Sequence, residues 1–243
     1  MHGAVFGEFI GTMVLILFGS GTNANCLLKQ SKGENAGWMV ICAGWGFAVL
    51  AGILASLGVG GVGHLNPAVT IAQAIATGHL EILLPYIGAQ FAGAFAGAVL
   101  VWIIYWPHWK ITEDKAAKLA VFATGPAIRT PFANALCEFL VTLLALLMVG
   151  FAINSKGVAG SGLMPGFGPY LWGVLIWAIG LSLGGPTGYA INPARDLAPR
   201  LAHQLLPIPG KGSSDWGYAW IPVLAPSLGG AAAAYLCKAF GIL

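Results

Sequence analysis

Charge is what this sequence lacks. Only 8% of its 243 residues are Asp, Glu, Lys or Arg, against about 25% in a typical soluble domain. No formally charged side chain occurs between Lys156 and Arg195. Apolar residues make up 58% of the chain, and the mean hydropathy is +0.82. So little charge cannot cover the surface of a soluble fold, so the chain is read as an integral membrane protein, all-α by its long apolar runs. The net charge of +3 leaves no basic footprint for nucleic acid. The four cysteines, Cys26, Cys42, Cys137 and Cys237, are far apart and form neither C-x-x-C nor a metal spacing, so they read as small packing residues. No nucleotide motif, nucleophile–base pair or chain of intramembrane charges is visible. That argues against an enzyme and against an ion-coupled pump, and no cofactor or metal is expected. The N-terminus lacks the basic flank and cleavage site of a signal peptide, so the first apolar run is expected to remain as a membrane helix.

A spanning helix needs about 20 predominantly apolar residues. Six stretches qualify, roughly 4–24, 37–58, 82–106, 132–154, 168–185 and 218–240. Two further apolar pieces are too short. One follows HLNPAVT and ends near Gly78; the other follows INPARD and ends near Pro207. About 12 residues reach about 18 Å, little more than half of a hydrocarbon core of about 30 Å. The expected architecture is therefore six transmembrane helices plus two re-entrant half-helices. Gly3, Gly7 and Gly11, and again Gly93 and Gly97, have the small-residue spacing that lets membrane helices approach closely.

The chain also repeats itself. GEFIGT at 7–12 resembles CEFLVT at 137–142, pairing Glu8 with Glu138, and HLNPA resembles AINPA, pairing Asn66 with Asn192. Each half carries three spans. Three is odd, so the second half enters the membrane from the opposite side. Such an inverted repeat commonly places a site at the midplane between the halves. The whole of 1–243 reads as one transmembrane domain, with repeats at about 1–106 and 132–243 joined by a polar loop, 107–131.

Proline suits the first helical position, and asparagine is a good N-cap. Asn66-Pro67-Ala68 and Asn192-Pro193-Ala194 therefore each start a helix. In an inverted repeat the two half-helices meet N-terminus to N-terminus, each end carrying roughly half a positive charge. Cations are repelled there. The Asn oxygens cap backbone N–H groups, leaving the amide donors for water or an alcohol. Before each half-helix lies an approach segment at membrane depth, where irregular backbone is tolerated only against protein or water. Its carbonyls, at Gly63, His64 and Leu65 and at Gly188, Tyr189 and Ala190, are expected to form a ladder of acceptors.

HLNPAVT and NPARD, in this order and within this layout, resemble the major intrinsic protein family, the aquaporins and glycerol facilitators, over essentially the whole chain. Pores of this class exclude protons and cations with half-helix dipoles and an arginine. The resemblance also implies a homotetramer with one pore per subunit, in the plasma membrane, with both termini cytoplasmic. Loop charge points the other way. Nine of the eleven Lys/Arg, including Lys29, Lys110 and Arg129, fall on the side opposite the termini, where the positive-inside rule places the cytoplasm. The family orientation is adopted because fold homology constrains more than loop statistics.

Within the family the chain resembles the glycerol-facilitator branch: Asp196 follows Arg195, Arg200 comes four residues later, Pro222-Val223 lies in the last helix, and FATGP at 122–126 matches an outer loop. The resemblance implies a selectivity filter of Trp45, Gly180, Tyr189 and Arg195. Water-selective relatives have His where Gly180 stands. Here Trp45 and Tyr189 form an apolar corner for polyol carbons while Arg195 donates to hydroxyls. Tyr189 stands where glycerol facilitators more often have Phe, and Trp45 precedes Asn66 by one residue more than the family spacing. The implied function is a passive channel for glycerol, small polyols and water. A water-selective pore and a closed structural membrane protein are the alternatives.

Other polar residues have two readings. Glu8 and Glu138 are either proton relays or, as their repeat symmetry favours, acceptors that support the approach segments. His64 either gates the pore or props its segment as a neutral ring. Trp102, Trp106, Trp109, Trp216 and Trp220 read as interfacial belt residues, and EDKAAK at 113–118 as solvated loop surface.

Overall fold

The computed structural model describes residues 2–158 and 165–243, and among them every regular element is helical. The elements are α1 (His2–Leu27), α2 (Trp38–Gly58), α3 (Pro67–Thr77), α4 (Leu83–Ile104), α5 (Trp106–Ile111), α6 (Lys115–Phe122), α7 (Pro131–Leu140), α8 (Val149–Ala152), α9 (Gly168–Leu183), α10 (Pro193–Leu205) and α11 (Trp220–Ala239). Among the described residues, five helical stretches are long and apolar enough to cross a membrane: Gly3–Leu27, Trp38–Gly58, Leu80–Ile104, Pro131–Ser155 and Trp220–Ala239. The sixth expected span is α9, with 16 residues, preceded by a 3-10 turn at Pro165–Phe167. Inside the fourth span, Val141–Met148 winds as π-helix before α8, a local widening that apolar periodicity does not announce.

The half-helices are α3 and α10. Each begins at an Asn N-cap with Pro in the first turn. Asn66 Oδ1 accepts from Ala68 N at 2.9 Å, and Asn192 Oδ1 accepts from Ala194 N at 3.1 Å and Arg195 N at 3.2 Å. α3 ends at Gly78, whose φ of 80° is the left-handed cap that glycine favours.

Small residues set the spacing of the bundle, because lipid supplies no hydrophobic force between helices. A methyl at Gly93 on α4 would overlap the Phe9 carbonyl of α1, and one at Gly229 on α11 would lie 2.8 Å from the Phe139 carbonyl of α7. Phe9 and Phe139 flank Glu8 and Glu138, so the same contact recurs at matching points of the two halves. Gly93→Val is expected to force α1 and α4 apart at a cost of about 1–3 kcal/mol. Thermal unfolding in detergent reads this directly, and an unchanged melting curve would contradict the close contact.

The segment joining the halves is more structured than its polarity suggests. EDKAAK opens α6, with Asp114 as N-cap accepting from Ala116 N and Ala117 N. Lys118, Val121 and Phe122 are buried. Lys118 Nζ donates to the Pro209 carbonyl. One face of the charged run is thus protein-packed rather than solvated. Trp109 is also no belt residue: it is 1% exposed, stacks on Phe122 and donates to the Trp102 carbonyl.

Candidate functional site

The N-termini of α3 and α10 meet. Asn66 Nδ2 donates to the Ile191 carbonyl and Asn192 Nδ2 to the Leu65 carbonyl, both at 2.8 Å. This corrects one expectation. The amide donors are not all free: one N–H of each Asn ties the two halves together and one remains. At the other ends, Lys238 Nζ reaches the Ile75 carbonyl at 3.1 Å. Lys211 Nζ reaches the carbonyls of His203, Gln204 and Leu206 at 2.6–2.7 Å, and burial pushes its ammonium below the usual lysine range. Cations at both C-termini offset the negative dipole ends, while the positive ends face each other at the centre.

The approach segments owe their shape to two buried carboxylates. Glu8 accepts from His64 N at 2.8 Å and Leu65 N at 2.7 Å. Glu138 accepts from Ala190 N at 2.9 Å and Ile191 N at 2.8 Å. Successive N–H groups can converge in this way because Leu65 and Ile191 take positive φ, 54° and 42°, making a backbone nest around each anion. A trans peptide points its carbonyl opposite to its N–H. The carbonyls of Gly63 and His64, and of Tyr189 and Ala190, therefore turn away from the carboxylates. Gln90 completes the first anchor, donating to Glu8 at 2.7 Å and to Thr70 at 2.8 Å. His64 Nδ1 lies 3.2 Å from Thr70 Oγ1.

The residues that carry these carbonyls line a cavity of about 460 Å³, together with both Asn, Leu65, Ile191, Trp45 and Arg195. Leu15, Val49, Ile53, Leu146 and Ile176 form apolar wall. The lining thus combines polar backbone segments and a few side-chain donors with hydrocarbon. That pattern suits small neutral hydroxylic molecules moving in file. Gly188 is not among the lining residues, and the Leu65 carbonyl already holds the Asn192 amide.

Of the four residues expected at the constriction, Trp45, Tyr189 and Arg195 line the cavity, whereas Gly180 does not and packs against Tyr189. Arg195 Cζ sits 3.9 Å from the centre of the Trp45 ring, within cation–π range. Trp45 lines the cavity although one residue more than the family spacing separates it from Asn66, and the chain leaves α2 through a glycine turn in which Gly60 has φ 80°. Gly180 differs from expectation. Its open side is filled by Tyr189, whose Cζ and Oη would lie 2.8 Å from a methyl there, with Cys42 Sγ at 2.9 Å. Trp38 meets Tyr189 edge-on at 5.9 Å and donates to the Gly180 carbonyl at 3.1 Å. Within the chain, neither Tyr189 Oη nor Arg195 Nη1 has a hydrogen-bond partner among the described residues.

Asp196 faces the protein interior. Its Oδ1 accepts from Arg200 Nε at 2.8 Å, and its Oδ2 from Thr124 N at 2.7 Å and Thr124 Oγ1 at 2.6 Å. α10 is thereby bolted to the segment joining the halves. Sequence reasoning overlooked the lining residues Gln73, Asn154 and Trp172. The available signal was a polar side chain inside or beside an apolar run.

Residues 1–237 match the family model described as Major intrinsic protein. The chain is 52% identical to the "Probable glycerol uptake facilitator protein" of Thermotoga maritima, over 92% of this chain and 93% of that protein. It is 51% identical to the glycerol uptake facilitator protein of Bacillus subtilis, over 93% of this chain and 81% of that one. The solved aquaglyceroporin of Plasmodium falciparum superposes with a TM-score of 0.84 at 30% identity, covering 98% of this chain and 95% of the other. Paired Asn-capped half-helices, buried carboxylate anchors and whole-chain similarity converge: the chain belongs to the major intrinsic protein family.

Proposed function

We propose that this protein is a passive channel for glycerol, small polyols and water that excludes ions and protons. The observation that carries the reading is the joining of the two Asn N-caps in a cavity that also presents Arg195 on Trp45. A hydroxyl accepts from the remaining Asn N–H groups and from Arg195, donates to the carbonyl ladder and keeps its carbons on the apolar wall. A cation can accept from none of these donors and meets like potential. In this reading Trp45, Gly180, Tyr189 and Arg195 form the filter. Asn66, Pro67, Ala68, Asn192, Pro193 and Ala194 form the central turn pair, and Glu8 and Glu138 support the approach segments. The names of the facilitator relatives support glycerol as cargo. Residues 1–243 act as one domain of inverted halves, about 1–106 and 132–243, in the plasma membrane as a homotetramer with cytoplasmic termini.

A second reading, a water-selective pore, draws on the Tyr189 ring filling the side of Gly180. Stopped-flow light scattering on reconstituted vesicles separates the two. Re-swelling in a glycerol gradient well above protein-free vesicles is expected. Fast water flux with background glycerol flux would hand the case to the water pore.

A further inference from the structure

The filter wall at Trp45 rests on a residue outside the family motifs. α1 runs apolar through LILFGSG and then places Asn23 in the membrane, where an unpaired amide is costly. Asn23 is 7% exposed, and both ends of its amide are used. Oδ1 accepts from Trp45 Nε1 at 3.0 Å, and Nδ2 donates to the Ala120 carbonyl of α6 at 2.8 Å. The indole N–H can only donate and a carbonyl can only accept, so the amide has one orientation that serves both. One turn earlier on the same face of α1, Gly19 leaves its side open to the six-membered ring of Trp45, where any methyl would overlap it. Gly19 and Asn23 thus make a cradle, one taking the ring and the other its N–H. Arg195 Cζ lies over the same indole, 3.9 Å from its ring centre.

We infer that Asn23 is a positioning residue for solute selection: it fixes the plane of Trp45 against α1, and through Ala120 it couples that plane to the segment joining the two halves. The inference rests on the proposed filter role of Trp45. Without Asn23 the indole N–H has lost its acceptor and turns toward the acceptors of the cavity, narrowing the passage for a three-carbon polyol more than for water.

The test is a double-mutant cycle read as the ratio of glycerol to water permeability in vesicles. Asn23→Leu, which keeps the branched shape and the number of side-chain heavy atoms, is expected to lower the ratio about fivefold, the factor that corresponds to one net hydrogen bond. Trp45→Phe has no N–H to hold, so Asn23→Leu in that background is expected to change the ratio less than about twofold. Equal changes in both backgrounds, or none in the otherwise unchanged protein, would overturn the inference. If Trp45→Phe alone leaves the ratio unchanged, the filter reading of Trp45 fails and the inference falls with it. If Trp45→Phe shifts the ratio and Asn23→Leu does not, only the inference fails. Should the Leu variant not assemble, Asn23→Ser, too short to bridge both partners, is read by the same criteria.

Discussion

Arg195→Ala is expected to raise monovalent-cation leak through the protein by about two to three orders of magnitude. Its side chain is 6% exposed and lies on the Trp45 ring beside the cavity. A cation passing about 4 Å from it at an effective dielectric near 20 feels about 4 kcal/mol of repulsion, and each ~1.4 kcal/mol is a factor of ten. Absolute conductance stays low, because dehydration and the two half-helix N-termini still oppose a cation. The lost side chain also widens the passage and removes hydroxyl donors, so longer polyols gain on glycerol. Vesicle flux assays with a cation-sensitive dye and a polyol series measure both effects. Unchanged leak and an unchanged size cut-off would remove Arg195 from the filter.

The second large effect concerns assembly. Asp196 and Arg200 are both fully buried. Arg200 also donates to the carbonyls of Ser214 at 2.8 Å, Asp215 at 3.1 Å and Thr124 at 2.8 Å. Removing one member of a buried pair leaves the other charge uncompensated, at a cost of about 3–5 kcal/mol. Asp196→Leu is therefore expected to lower thermal stability in detergent by that amount. The Asp196→Leu/Arg200→Met double variant is expected to be no worse than the poorer single, since neither charge is then stranded. Losses that simply add would mean that the two side chains do not act as a pair.

Much of this molecule is legible because its local chemistry and its global role agree. Asn at an N-cap followed by Pro is a strong helix-start signal, and two short apolar runs cannot span a bilayer, so both half-helices follow from the chain. Glu8 and Glu138 are legible as anchors because they repeat at matching places. What is hidden depends on residues far apart in sequence. Nothing near Asn23 announces that residues 45 and 120 satisfy its amide. Nothing near Gly180 announces that Tyr189 lies across it. EDKAAK looks solvated because mixed charge usually is, whereas Lys118 is drawn inward by the Pro209 carbonyl. The crossed Asn amide bonds escape notice because capping accounts for the side-chain oxygens and says nothing of the nitrogens.

The proposed function requires that neutral solutes pass where protons do not. It is tested most directly by recording glycerol influx and internal pH together, in vesicles holding a pH-sensitive dye and clamped to an inward proton gradient. Glycerol-driven re-swelling well above protein-free vesicles is expected while internal pH drifts no faster than in them. Protein-dependent acidification, or re-swelling no faster than in bare lipid, would contradict it.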